Sequence, residues 1–490
     1  MKKIALISAL VTAGVSIVSA ASTHTLLTTK SGLLNELSNL PGRPLASTGR
    51  MATSPNGSYY SFVGLVSATT ARVWVAGDTI GYNNQKVALA GDAAPFAPGF
   101  TLQSFRSGAL GLDDAGNLYV SLDTNEATTV DDYIVRKEMT NANPLTFAAK
   151  EGDLFSGGNY LASASPSPYN GTVAFANGPG LTSTSQAIVK NGASTWVKGG
   201  SFASYIGPTD PITNHTADNY RLAQDGSVEV GTATIGANTA NDQVVFVNGN
   251  VMAREGFNLP DFLPALTVSS LIGGLSHSAA AAGGWYCYRG TEAVTNNEFA
   301  VIGNINTGFK KLIRQTDPIA TGETETWSGA VASGGLAISG IGVNKWGEAV
   351  ITGYSSRANG LQDFVIIYDN GYYSQVLVRE GDQIDANNNN VLDDDANIQS
   401  VLNDNVSISD SNEIFVSATC VNSGGTGGFG AAIQIFYPII ADVDGDGEVG
   451  STDFDLVVAQ FGTAGTADID HDGEVGSTDF DIVVAQFGRS

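Results

Sequence analysis

The sequence predicts an all-β body built as a seven-bladed β-propeller, followed by a small α-helical module, and three observations carry that prediction. A turn followed by an alternating strand recurs seven times, a corner-forming strand recurs between the copies, and the composition changes abruptly at Asp442. Units that cannot bury both of their faces alone, repeated at a near-constant spacing, are the signature of blades stacked around an axis.

The first element reads SPNGSYYSFVG, DDAGNLYVSLD, SPYNGTVAFAN, AQDGSVEVGTA, AAGGWYCYRG, NKWGEAVITGY and SDSNEIFVSAT. Its turn residue falls at Gly57, Gly116, Gly171, Gly226, Gly284, Gly347 and Asn412, 55 to 65 residues apart. Glycine or asparagine is required there because a tight hairpin turn places one residue at positive φ. The second element reads KVALAGD, FAAKEGD, TWVKGGS, VMAREGF, LIRQTDP and VLVREGD. Together with the strand before it, as in DQVVFVNGNVMAREG, it makes a unit of about four short strands.

Seven turn elements alternate with only six corners, and the last unit ends at GGFGAAIQIFYP without a terminal strand. Residues 24–32, HTLLTTKSG, match the missing corner. The N-terminal strand is therefore expected to complete the last blade and pair its open edge. Residues 22–440 are read as the propeller; six or eight blades, or a pair of sandwiches, are the other arrangements that units of this length allow.

Residues 1–20 have the form of a secretory signal peptide: Lys2 and Lys3, an apolar run over 4–18, and the small-residue site Val18-Ser19-Ala20. The expectation is a secreted protein, extracellular or associated with a cell surface. No later stretch approaches the ~20 apolar residues that span a bilayer. With 23 basic against 48 acidic residues and a net charge of −25, binding to nucleic acid by phosphate neutralisation is excluded. Two cysteines, Cys287 and Cys420, make no disulfide scaffold and read as buried thiols in strands.

Residues 442–462, DVDGDGEVGSTDFDLVVAQFG, and 468–488, DIDHDGEVGSTDFDIVVAQFG, are identical at 18 of 21 positions. Each opens with the oxygen-ligand spacing of an EF-hand-type loop. Asp442, Asp444, Asp446, Glu448 and Asp453 stand at positions 1, 3, 5, 7 and 12 of the first copy, and Asp468, Asp470, Asp472, Glu474 and Asp479 at those of the second. Calcium takes about 6–8 hard oxygen ligands, and the glycine at position 6, Gly447 or Gly473, permits the sharp turn. Two calcium ions are expected here, and folding of so small and acidic a unit should depend on them. Ser451 and Ser477 are expected to cap a helix beginning near Asp453 and Asp479.

The duplicated loop-helix pair resembles a dockerin module, the calcium-dependent tethering domain of secreted bacterial proteins that docks onto a cohesin. The resemblance covers residues 442–488 within a module read as 441–490. It implies a cohesin-like partner, contacted through loop positions 10 and 11, here Ser451-Thr452 and Ser477-Thr478. The departure from the family lies at Val458-Ala459 and Val484-Ala485, where cellulosomal members carry a basic pair.

The body nominates no catalytic residue. HExxH, GxSxG and CxxC are absent, and the GxGxxG at 425–430 lies in a β repeat with no following helix. Glu151-Gly-Asp153 and Glu380-Gly-Asp382 recur at one place in different blades, which suits a structural corner better than a catalytic dyad. The segment Asp385, Asn387, Asn389, Asp393 offers oxygens resembling the start of a third calcium loop, with a solvated acidic loop as the alternative. The tryptophans could form a sugar-stacking platform but read first as core. The functional expectation is thus a secreted tethering protein presenting a propeller with a binding or surface-assembly role. The alternative is a dockerin-bearing carbohydrate-active enzyme, a glycoside hydrolase or lyase, with polysaccharide as its partner.

Overall fold

The computed structural model describes residues 24–26, 45–66, 71–79, 85–140, 144–155, 158–159, 166–169, 171–176, 186–216, 219–262, 265–271, 278–328, 336–357, 363–384, 396–422 and 428–489. Among the described residues seven antiparallel sheets of four or five strands follow one another along the chain, besides a two-stranded ribbon of Leu154–Phe155 and Gly158–Asn159. The first joins Leu45–Thr53, Tyr59–Val66, Arg72–Asp78 and Gln85–Leu89 in that order, and each strand hairpins onto the one before it. Five more sheets repeat this meander, the last of them ending at Ser374–Arg379.

The hairpin between the first two strands of each blade owes its tightness to the residue identified by the repeat. Gly57, Gly116, Gly171, Gly226, Gly284 and Gly347 all have φ between 72° and 86°, and Asn412 has φ 54°. In that left-handed region a Cβ costs energy, which asparagine bears better than other side chains.

Closure of the ring is visible in two ways. The last blade runs Ala396–Ile408, Glu413–Asn422, Phe429–Phe436, and its outermost strand is His24–Leu26, antiparallel to Phe429–Phe436 with His24 opposite Ile435. The expected closing strand is present, and the rest of 24–32 lies outside the described residues. The apolar cores are also interblade layers. Phe62 and Val73 of blade one meet Phe415 and Ala432 of blade seven, just as Trp74 and Phe105 join blades one and two, and Trp327, Ile302 and Ile351 join blades five and six. A ring has as many interfaces as blades, so this seventh layer excludes an open sandwich.

The innermost strands surround an axial cavity of about 420 Å³, to which every blade contributes, including Met51, Leu110, Pro168, Leu222, Ala280, Ile341 and Val406. Cys287 and Cys420 are fully buried free thiols whose burial pushes each up to about 12, as expected of structural cysteines.

After the propeller, α1 (Ser451–Gln460) and α2 (Ser477–Gln486) pack through Val457, Ile482 and Val483, with Phe454 and Phe480 tilted against each other at 4.9 Å. The helix starts differ from expectation. Gly450 and Gly476 are the N-caps, Ser451 and Ser477 are already helical, and the serine side chains do not cap. The carboxylates of Asp453 and Asp479 reach back instead, accepting from the Gly450 and Gly476 backbone N–H at 2.7 and 2.6 Å. This is the half of a capping box in which the carboxylate at the third helical position accepts from the N-cap's own backbone N–H, and its charge suits the positive end of the helix. Among the described residues no helix is long and apolar enough to cross a membrane.

Candidate functional site

Each acidic loop wraps its backbone around its own carboxylates. In the first, the Asp442 side chain accepts from the N–H groups of Gly445, Asp446 and Gly447 at 2.8 to 3.0 Å, and Asp453 Oδ1 accepts from Val443 and Asp444 at 2.6 and 3.0 Å. In the second, Asp479 Oδ1 accepts from Ile469 and Asp470 at 2.5 and 3.1 Å. Position 12, buried at the foot of a helix, is thereby folded back onto position 3.

The result is two carboxylate triads, Asp442, Asp444, Asp453 and Asp468, Asp470, Asp479, each with ligand oxygens within 4.8 Å of one another. Asp446, Glu448, Asp472 and Glu474 lie on the same loops but outside these groups, and their backbone N–H or carboxylates serve the turns. Burial and the neighbouring acids push the Asp470 carboxyl up, and Asp444 shifts the same way. Asp468 Oδ1 is buried without a hydrogen-bond partner. Three converging carboxylates, with one buried oxygen left over, fit a hard divalent cation in each loop. Ser451 and Thr452 are exposed at the start of α1; Ser477 is exposed and Thr478 partly so on α2.

A third triad lies in the body and was not singled out from the sequence: Asp131, Asp132 and Glu151. It belongs to a recurring arrangement. Glu151, Glu255 and Glu380 occupy the same corner of blades two, four and six, their N–H groups donating to Asp132, Gln243 and Phe364 carbonyls at 2.8 to 2.9 Å. Each glutamate faces an aspartate, Asp131, Asp242 or Asp363, and burial first, then that neighbouring acid, pushes its carboxyl up. The legible signal was an aspartate just before the third strand in DDYIV, NDQVV and QDFVI. The other half of the corner motif is structural as expected: Asp92, Asp153, Asp317 and Asp382 each accept from the backbone N–H three residues earlier at 2.8 to 3.1 Å.

The Glu380–Asp363 pair carries a pH prediction. Burial first, then the hydrogen bond and charge of Asp363, push Glu380 from 4.5 up to about 7. The folded chain therefore holds a proton that the unfolded chain has released, and stability falls as pH rises from about 4.5 to 7. Glu380→Gln, neutral throughout, should melt higher than the parent at about pH 8 and lose that advantage below about pH 4.5. Thermal unfolding across this range checks it, and an advantage independent of pH would contradict the assignment.

At one mouth of the axial cavity Asp114, Asp225 and Asp410 face the turns of neighbouring blades. They accept from the N–H groups of Asn56 at 2.7 Å, Gly283 at 3.2 Å and Lys345 at 2.9 Å, so they stitch blade to blade. Among the described residues no aromatic side chain lines this cavity. Trp74 and Trp327 are core, and the Trp196 and Trp285 rings press on Gly249 and Gly347. His215 is buried, bonded through Nε2 to the Trp196 carbonyl at 2.5 Å, and burial lowers it to about 4. Residues 1–20, read from the sequence as a signal peptide, His277 and the loop Asp385, Asn387, Asn389, Asp393 lie outside the described residues.

Fold and site together define a seven-bladed propeller carrying a C-terminal pair of acidic loop-helix units. No family model and no curated protein matches the chain. Among solved structures it is similar to an oligogalacturonate lyase in complex with manganese, at 9% identity and TM-score 0.41 over 85% of this chain and 97% of that one. It is also similar to prolyl oligopeptidase B from Galerina marginata, at 8% identity and TM-score 0.35 over 78% of this chain and 47% of that one. A third is TolB from Acinetobacter baumannii, at 10% identity and TM-score 0.31 over 81% and 66%. The chain thus spans about half of the prolyl oligopeptidase.

Proposed function

We propose that this chain is a secreted, calcium-dependent tethering protein whose C-terminal dockerin-like module docks onto a cohesin-like partner and presents the propeller in a binding or surface-assembly role. The observation that carries the reading is the duplicated triad, in which two loops of near-identical sequence bring positions 1, 3 and 12 together at the foot of a helix. Asp442, Asp444 and Asp453 would hold one ion, and Asp468, Asp470 and Asp479 the other. A bound calcium relieves the mutual repulsion of carboxylates and so favours the folded loop. Docking is supported by exposed apolar side chains repeated on both halves, Val458 and Phe461 at 52% and 55%, Val484 and Phe487 at 50% and 54%. Ser451, Thr452, Ser477 and Thr478 stand at the helix starts, where the resemblance puts partner contacts. Export is supported by the form of residues 1–20.

Calorimetric titration of the full chain with calcium is expected to show two ions bound, with a third only if Asp131, Asp132 and Glu151 take one. A panel of immobilised cohesin domains should then capture the chain in calcium and release it with chelator. No heat of binding at millimolar calcium would refute the reading.

A further inference from the structure

The C-terminal module is not suspended from a free linker. Ile440 packs against both the last interblade core and the core of the module, and the His471 ring lies 4.3 Å from that of Tyr373 in blade six. The firmest contact is made by Arg489, the one basic residue in 442–490 against twelve acidic ones. It is 2% exposed, and its Nη1 lies 2.5 Å from Oε1 of Glu348, which is wholly buried in blade six.

Glu348 sits in a polar socket. Tyr368 donates to it at 2.7 Å, Tyr437 at 2.8 Å and Asn344 at 2.8 Å, and Arg489 Nη2 also donates to the Tyr437 hydroxyl at 3.3 Å. Burial works to raise the Glu348 carboxyl, and the charge and hydrogen bond of Arg489, together with the hydrogen bonds from Tyr368 and Asn344, hold it low. A comparable buried acid in blade four, Glu229, has its cation from the propeller itself, Lys190 at 2.5 Å. Glu348 faces a cation delivered by the end of the chain.

That cation is tied to the first acidic loop. Val449, at position 8, donates to the Arg489 carbonyl at 2.8 Å and accepts from Gly488 N–H at 2.7 Å. The pseudo-symmetric contact pairs Val475 with Gly462 and Thr463 at 2.8 Å each, so Thr463 stands where Arg489 does and carries no charge. The duplication is broken where the module meets the propeller, at Arg489 against Thr463 and at His471 against Gly445.

We propose that Arg489 and Glu348 form a latch through which calcium loading of the C-terminal loops stabilises blades six and seven. The inference rests on the reading that these loops hold calcium. When they are empty, repulsion among their carboxylates opens them, the two backbone hydrogen bonds holding Gly488 and Arg489 against Val449 are lost, and Glu348 keeps its buried charge without a counter-cation. Such a group destabilises whatever encloses it, here Tyr368, Asn344 and Tyr437 of the propeller.

All five tryptophans, Trp74, Trp196, Trp285, Trp327 and Trp346, lie in the body, so the thermal transition in tryptophan fluorescence of the full chain reports unfolding of the propeller, while Trp346, whose ring lies 5.7 Å from the Arg489 guanidinium, also senses the latch itself. Chelator should lower its thermal midpoint by roughly 5 °C. Arg489→Met should start at the chelated level and respond little to calcium, while calorimetry still finds two ions. The double variant Glu348→Gln, Arg489→Met should recover toward the parent midpoint yet remain insensitive to calcium, because neither charge is left unpaired. A parent midpoint unmoved by chelator while two ions bind would overturn the latch, and so would an Arg489→Met protein with the full calcium response. Absence of calcium binding would overturn the underlying reading as well.

Discussion

Replacing Asp479 with alanine is expected to abolish one of two calcium sites and unfold the second loop. Its carboxylate accepts from Ile469, Asp470 and Gly476 N–H at 2.5, 3.1 and 2.6 Å, and it is 1% exposed. Truncation removes a metal ligand and strands three backbone donors, each costing about 1–3 kcal/mol if it stays buried. Calorimetric stoichiometry should fall from two ions to one, with a loss of helical signal. Asp453→Ala should do the same to the first loop, since Asp453 accepts from Val443, Asp444 and Gly450. Asp479→Asn keeps an acceptor while removing the charge, and should retain more helix than alanine but bind calcium far more weakly. Two ions still bound to Asp479→Ala would remove position 12 from the site.

Trp327→Ala is expected to be the most damaging single change in the propeller core. The indole is 1% exposed between blades five and six, packed among Ile302, Ile313, Ile338 and Ile351. Its backbone also bonds to Thr316 and Asp317 at 2.9 and 3.0 Å, so the loop carrying it cannot slide in to refill the space. Emptying such a site costs about 3–5 kcal/mol, and with about 2 cal/mol/K of unfolding entropy per residue the midpoint should fall by roughly 5 °C. Differential scanning calorimetry with the loops calcium-loaded checks this. A near-parental midpoint would mean that the two blades close over the cavity.

Most of the architecture was legible because its requirements are local. A positive-φ residue must recur wherever a blade turns, and glycine or asparagine at Gly57 through Asn412 satisfied that need in plain view. Ligand oxygens on a calcium loop must alternate over twelve residues, so Asp442 to Asp453 could be read in one line. The helix starts differ from expectation because Ser451 and Ser477 stand one residue inside the helix, with Gly450 and Gly476 as the N-caps. Which of two adjacent residues leaves the helical conformation depends on the loop's path, which spacing does not express.

The acid pairs of blades two, four and six were half legible. Each glutamate announced itself in its corner, but its aspartate stands 13 to 20 residues earlier on the neighbouring strand, and only the pairing register brings the two together. Register follows from the burial of a whole sheet face, a property of the assembled blade.

The repeating unit and the duplicated acidic loops are legible in the chain alone, since each rests on backbone conformation or ligand spacing within a few residues, and the closing N-terminal strand follows from the count of turns against corners. Tertiary structure alone decided how the module is mounted. Glu348 and Arg489 are 141 residues apart, and nothing in either segment names the other as its partner. They meet because the module follows directly on blade seven, which packs against blade six, and because a charge buried in that corner must be matched by whatever part of the chain the fold delivers there.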